Sequence, residues 1–202
     1  MPEQIVLVRH GQTEWSRVGR HTGRTDIGLT DQGENEARLV TGTLAEWNFD
    51  AAFSSPLLRA RDTARLAGFS PTLDDDLVEW DYGAIEGRTN DEITAERPGW
   101  SKWIDGPPGG ERADDVGVRA DRFLERIAAV GGEVVVFAHG HFLSIAIARW
   151  LGLPASEGRR FPLRTATVSV LGAKRDDHVL TLFNHLCGHG LVDPELPAEA
   201  LR

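Results

Sequence analysis

The apolar run Ile5-Val6-Leu7-Val8 ends on Arg9-His10-Gly11, and two later apolar runs end the same way, on Ser54-Ser55 with Arg59 close behind and on His139. A phosphoryl dianion asks for such residues. Cations in fixed geometry must hold its oxygens, and arginine supplies planar, bidentate donors. Arg9 and Arg59 fit that need. A neutral imidazole can attack phosphorus with one ring nitrogen while a carbonyl holds the other N–H; His10 and His139 both qualify. Glycine beside such a histidine lets the backbone and its N–H come close to a phosphate oxygen, and Gly11 stands there. The leaving alcohol needs a proton, so a carboxylic acid is wanted nearby. Glu79, between Leu77-Val78 and Trp80, is the best placed, with Asp81 and Glu86 as neighbours able to take the same task.

These groups need elements that bring them together. The β-branched run 5–8 reads as a strand buried on both faces. Residues 11–29 hold four glycines among polar residues and read as a long loop. Thr30 is an N-cap for a helix with Ala37, Val40, Leu44 and Trp47 on one face. A second strand is expected at 50–55, then a helix that starts at Pro56 and carries Arg59. A short strand near 73–78 leads into the glycine-punctuated, aromatic loop 79–87. Trp100 and Trp103 mark a helical or irregular excursion that ends in the turn 105–111. An amphipathic helix carries Ala120, Phe123, Leu124, Ile127 and Ala128. A buried strand follows at 133–138, a helix apolar nearly all round at 142–151, and closing strands at 167–171 and 178–183. Strands alternating with helices give an α/β class with a largely parallel sheet, whose ligand sites lie beyond the carboxyl ends of its strands. No repeat or linker divides the chain, so residues 1–202 are expected to form one domain, with 193–202 a loosely held tail.

Composition narrows the function. The 202 residues are 41% hydrophobic and 26% charged, an ordinary balance for a globular chain. The net charge of −9 argues against general nucleic-acid binding, which relies on basic patches. It leaves room for a small cationic pocket. No run approaches the roughly 18 apolar residues of a membrane span, and the N-terminus lacks a signal-peptide pattern. The single cysteine, Cys187, excludes an internal disulfide. The expectation is a soluble cytoplasmic protein with neither nucleic-acid nor membrane partners; a homodimer is permitted but nothing compels it.

The segment "LVRHGQTEWS" resembles the signature of the histidine phosphatase superfamily, which includes the cofactor-dependent phosphoglycerate mutases. Five further segments fit the family in its order: "HTGRTDIGLTDQGENEA" (21–37), "SSPLLRARDTA" (54–64), "DDDLVEWDYGAIEG" (74–87), "GGE" (109–111) and "FAHGH" (137–141). The resemblance covers roughly residues 4–190, far more than a short pattern. It implies a three-layer α/β sandwich with helices on both faces of a mostly parallel sheet. It also implies His10 as the nucleophile that becomes phosphohistidine, Arg9 and Arg59 as phosphoryl ligands, His139 as the residue completing the pocket, and Glu79 as proton donor. Thr22 and Gly23 would contact substrate, as in mutase-like members, and Gln12 would line the pocket. Ser16 stands where many members carry asparagine near the phosphate. No metal or other cofactor is required, because the side chains supply the positive charge.

The same resemblance frames the choice between hydrolysis and phosphoryl return. Mutases carry a longer insertion before the "GE" turn, with an adjacent arginine pair. Here residues 88–110 are short and hold Arg88 and Arg97 apart, which favours a phosphatase acting on a small phosphorylated metabolite. Several segments are also similar to the sedoheptulose-1,7-bisphosphatase branch and to mutase-like acid phosphatases, so a sugar phosphate or bisphosphate is the preferred substrate class. A mutase is the alternative, and an idle phosphate-binding module is a weaker one. Tyr82 and His141 are assigned to the substrate side. Trp80, Tyr82, Trp100 and Trp103 can serve equally as core or as a lid. The "HLCGH" segment (185–189) reads as turn and packing residues rather than a zinc site.

Overall fold

The computed structural model describes residues 2–175 and 177–188. The 193–202 tail and His189 of the "HLCGH" segment lie outside these residues. Six strands form one sheet: β1 (Gln4–Arg9), β2 (Phe49–Ser54), β3 (Thr72–Leu73), β4 (Glu133–Ala138), β5 (Thr167–Lys174) and β6 (Asp177–Leu186), in the order β3-β2-β4-β1-β5-β6. The first four in that order are parallel, whereas β5 and β6 are antiparallel. The two tight-turned closing strands account for the departure from a fully parallel sheet.

Strand periodicity builds two cores. Ile5 and Leu7 of β1 join Val134 and Val136 of β4 on one face, beneath α5 (Ala113–Ile127) and α6 (Gly140–Trp150). Val6 and Val8 join Val135 and Phe137 on the other, against α2 (Asp31–Leu44) and α3 (Leu58–Leu66). Alternate side chains of one strand thus feed opposite layers, which is why its sequence reads as an unbroken apolar run. Each such side chain contributes roughly 1.5–3 kcal/mol by leaving water. The result is an α/β sandwich with helices on both faces.

Two expectations need correction. The expected 73–78 strand is only the two-residue β3; Asp75–Leu77 is a 3₁₀ turn capped by Asp74, and Leu77 and Val78 are buried by packing rather than by strand pairing. The 11–29 loop contains a short helix, α1 (Glu14–Arg17), held by a reciprocal cap between Thr13 and Ser16. Within 88–110, α4 (Asn90–Glu96) starts on a similar cap between Thr89 and Glu92.

Register sets the site. Arg9 lies beside Ala138, and Ser54 beside Phe137. The chain then leaves the sheet at three neighbouring points, with His10 N–H donating to the Ala138 carbonyl (3.0 Å) and Ser55 N–H to the Phe137 carbonyl (3.0 Å). His10, Ser55 and His139 therefore emerge side by side at the carboxyl ends of β1, β2 and β4.

Candidate active site

A cavity of about 320 Å³ opens over these strand ends, lined by Arg9, His10, Ser16, Thr22, Glu79, Tyr82 and His141 among the residues expected from sequence. His10 donates its Nδ1–H to the Gly11 carbonyl at 2.7 Å. That bond fixes the tautomer and leaves Nε2 with its lone pair. Burial, then the charges of Arg59 and Arg9, hold the imidazole well below its ordinary pKa, so it stays neutral and nucleophilic. Arg9 donates to the Leu163 carbonyl and packs against the bare Cα of Gly140, where an added Cβ would sit 3.2 Å from the guanidinium carbon. Its buried Nε has no hydrogen-bond partner among the described residues.

Arg59 and His139 stand behind the cavity wall. Arg59 is fully buried, and four of its five N–H donors are committed: Nε to His139 Nδ1 (3.1 Å), one terminal nitrogen to the Thr25 carbonyl (3.0 Å), the other to the Thr22 and Gly23 carbonyls (3.1 and 2.9 Å). His139 accepts at Nδ1, so its proton is on Nε2, which donates to Ser55 Oγ at 2.8 Å. Burial and the Arg59 charge keep this ring neutral as well. The two imidazoles lie edge to face, 5.3 Å apart.

Glu79 is placed by a helix end. Its Oε1 accepts the N–H groups of Trp80 (2.9 Å) and Phe142 (2.8 Å), and its Oε2 that of His141 (3.0 Å). Two of these are orphan donors in the first turn of α6, so the carboxylate does the work of a cap that His139, the residue at the cap position, does not do. Asp81 and Glu86 are engaged elsewhere. Asp81 accepts from Gly83 N–H, and Glu86 Oε1 accepts from the N–H groups of Gly23 and Thr25. Among the described residues, Glu79 is the carboxylate that lines the cavity.

Three glycine-segment expectations resolve differently. Gly11 donates its N–H to Thr63 Oγ1 (3.0 Å), and a Cβ there would sit 2.3 Å from the Gly33 carbonyl oxygen. The position is glycine because two backbones touch, and its N–H is already committed. Gln12 turns toward α2, its N–H on Glu36 and its side-chain carbonyl accepting from Thr30. Gly23 contributes its carbonyl to Arg59 and lies outside the cavity lining. Ser16 lines the cavity while its hydroxyl serves the α1 cap.

The remaining wall is aromatic and cationic. The Tyr82 hydroxyl and His141 Nδ1 share a 2.5 Å hydrogen bond. Trp80 is wholly buried core, whereas Trp103 lines the cavity and packs against both Trp80 and His141. Sequence reading missed two members of this wall, His21 and Lys102, whose Nε2 and Nζ lie 3.1 Å apart. It also missed Arg119, which grips Glu111 through both terminal oxygens (2.7 and 3.0 Å) while Glu111 holds Asp81 N–H and Trp80 Nε1–H, so the Glu79 loop rests on that pair. Lys102 did carry a signal, being one of two lysines among 22 basic residues.

A neutral, tautomer-locked histidine thus stands beside arginine and carboxylate at the strand ends of an α/β sandwich, the arrangement of an enzyme site. Residues 5–186 match the profile described as "Histidine phosphatase superfamily (branch 1)", and the chain belongs to that superfamily. It is 39% identical over 193 residues to the acid phosphatase of Mycobacterium tuberculosis, covering 92% of this chain and 94% of that one. It is 38% identical over 186 residues to the sedoheptulose 1,7-bisphosphatase of Saccharomyces cerevisiae, covering 74% and 68%. The solved structure of a mycobacterial glucosyl-3-phosphoglycerate phosphatase complexed with VO3 superimposes with a TM-score of 0.83 at 27% identity, covering 91% of this chain and 99% of that one.

Proposed function

We propose that this chain is a phosphomonoesterase that hydrolyses a small phosphorylated sugar metabolite through a phosphohistidine on His10. The observation that carries the reading is the His10 tautomer: Nδ1–H is tied to the Gly11 carbonyl, so Nε2 is the ring nitrogen left to attack. In the first step Nε2 forms a bond to phosphorus, the ester P–O bond breaks in line, and Glu79 passes a proton to the leaving oxygen. In the second step water attacks phosphorus, Glu79 takes a proton from that water, and the N–P bond breaks to release phosphate. Arg9 faces the equatorial oxygens. Arg59 contributes charge from behind, and its donors become available as phosphoryl oxygens compete with the 22–25 carbonyls. His139 keeps Arg59 and Ser55 in place. The metabolite-sized cavity and the sugar-phosphate phosphatases among its relatives support the substrate class.

The test is rapid quenching with a ³²P-labelled sugar phosphate, with phosphate release scored beside a mutase assay containing 2,3-bisphosphoglycerate. The expected result is an acid-labile, base-stable phosphoenzyme and net phosphate release. In His10→Ala both should fall by about four orders of magnitude or more. Robust turnover in that variant would overturn the nucleophile assignment, and mutase turnover well above hydrolysis would replace the phosphatase with its isomerase relative.

A further inference from the structure

The cavity holds more positive charge than one phosphoryl group needs. Arg9, Arg20, Lys102 and Arg159 line it against the single carboxylate of Glu79, on a protein whose net charge is −9. Arg9 stands beside His10. Lys102 belongs to the other wall, where it is only 8% exposed. A buried ammonium ordinarily has a carboxylate or several carbonyls around it, because an uncompensated charge in a protein interior is costly. Among the described residues, Lys102 has one side-chain hydrogen-bond partner, and that partner is neutral.

The partner's state follows from its own contacts. His21, 6% exposed, donates Nδ1–H to the Arg88 carbonyl at 2.7 Å, so Nε2 carries the lone pair that accepts from the ammonium. Burial and the Lys102 charge hold His21 down to about 4. Backbone bonds fix it further, with His21 N–H on the Arg88 carbonyl (2.9 Å) and Gly87 N–H on the His21 carbonyl (2.8 Å). Lys102 is mounted just as firmly. Its turn is pinned where Arg112 donates to the Ile104 and Asp105 carbonyls (both 3.1 Å), and the adjacent Trp103 wedges against Trp80 and His141. The other groups facing the ammonium are His141, also held neutral by burial, Tyr82, and the Glu79 carboxylate, whose charge favours the protonated amine. One N–H of the ammonium is spent on His21, and the rest have no protein acceptor within hydrogen-bond distance among the described residues.

We propose that Lys102, oriented by His21, is a second anion subsite that selects substrates bearing a second negative group remote from the scissile phosphate. The class is a sugar bisphosphate or a phosphorylated sugar acid: a phosphate or a carboxylate can equally accept the free ammonium donors and supply the missing countercharge. Arg20 lies on the same cavity and adds to its pull on a doubly charged ligand, whereas the charge of Arg159 is offset by its ion pair with Glu157 (2.8 Å). The proposal rests on the phosphatase reading above, and its test separates the two.

Steady-state hydrolysis by wild type, Lys102→Met, Lys102→Arg and His21→Phe is measured on matched pairs: fructose 1,6-bisphosphate against fructose 6-phosphate, and 3-phosphoglycerate against glycerol 3-phosphate. p-Nitrophenyl phosphate, which has no second anion, is the reference. Lys102→Met is expected to lower kcat/KM about 30-fold for the doubly anionic member that the wild type prefers, mostly through KM, and to change p-nitrophenyl phosphate less than about 3-fold. Lys102→Arg should restore part of the loss, and His21→Phe should show an intermediate selective loss. The bisphosphate and acid arms tell which anion is taken. Equal losses on all substrates, in a variant whose circular dichroism and melting temperature match wild type, would assign Lys102 a merely structural role and overturn the subsite. So would unchanged constants throughout. If wild type hydrolyses p-nitrophenyl phosphate poorly and forms no phosphohistidine, it is the phosphatase reading that falls.

Discussion

The phosphoryl end of the cavity and its far wall are built on opposite terms. At the phosphoryl end, His10, Ser55 and His139 leave three neighbouring parallel strands, and three side chains there are tied to the protein: His10 to Gly11, His139 to Ser55, Arg59 to a histidine and three carbonyls, while the buried Nε of Arg9 has no partner among the described residues. At the far wall, His21, Tyr82 and Lys102 stand on loops, and the Lys102 ammonium keeps donors in hand. A sheet can hold a reacting group to fractions of an ångström, and chemistry that never changes belongs there. Loops can be exchanged without disturbing the sheet, so the choice of substrate belongs on them.

Three measurements probe that contrast. The largest effect is expected from Glu79→Gln, which removes the proposed proton donor and should slow alkyl phosphates by about 10²–10³-fold while an activated aryl phosphate loses less than about 10-fold. The loss should be the same for alkyl substrates with and without a second anion. Losses that tracked the second anion instead would place Glu79 with the far wall.

A second measurement asks whether both ends exclude protons. His10 and His139 at one end, and His21 and His141 at the other, all have native pKa values below the ordinary 6.5, His21 at about 4. The unfolded chain therefore binds protons that the native state refuses. Stability is full above about pH 6.5 and is lost as pH falls below it, by about 1.4 kcal/mol per pH unit for each histidine still neutral in the fold. Calorimetry at pH 7, 6 and 5 should show a falling melting temperature, and either His139→Gln or His141→Gln should make the fall shallower. A flat profile would mean the native pockets admit protons.

The smallest effect is confined to the far wall. Burial lowers Lys102 to about 8, with Glu79 opposing the drop, so its charge is present below that pH and lost above it. KM for a bisphosphate should rise about fivefold to tenfold between pH 7 and 9. KM for p-nitrophenyl phosphate should stay flat, because His21 and His141 are already neutral there and Tyr82 is held protonated by burial. Parallel rises on both substrates would erase the distinction between the two regions.

The same contrast governed what could be read from the chain. Arg9, His10 and His139 were legible because each follows an apolar run, and a run buried on both faces announces both the strand and the place where it ends. Arg59 was legible as a type, but not its position behind the wall, since nothing in the segment says that three carbonyls at 22–25 will surround it. Gly11 was recognised as a position that must be bare, for a reason that the structure replaces with contact against Gly33. His21 and Lys102 were missed because neither sits on a periodic element and their hydrogen bond spans 81 positions of sequence. The 73–78 segment looked like a strand because Leu77 and Val78 are apolar, yet what buries them is packing, and burial without ladder bonds leaves no distinct trace in a pattern.

The cap that Glu79 provides to α6 bears on how such a chain can drift over generations. Most residues dedicated to catalysis can be exchanged at little cost to folding, so a duplicated copy can lose its reaction quietly. Here the carboxylate also satisfies two backbone donors of a helix that carries much of one core. Replacement by a side chain without an acceptor would forfeit about 1 kcal/mol or more of fold stability along with the reaction. A descendant that gave up hydrolysis while keeping this architecture would be under pressure to retain an oxygen at position 79, so that residue alone is a poor marker of retained activity, and His10, the proposed nucleophile, is the better one.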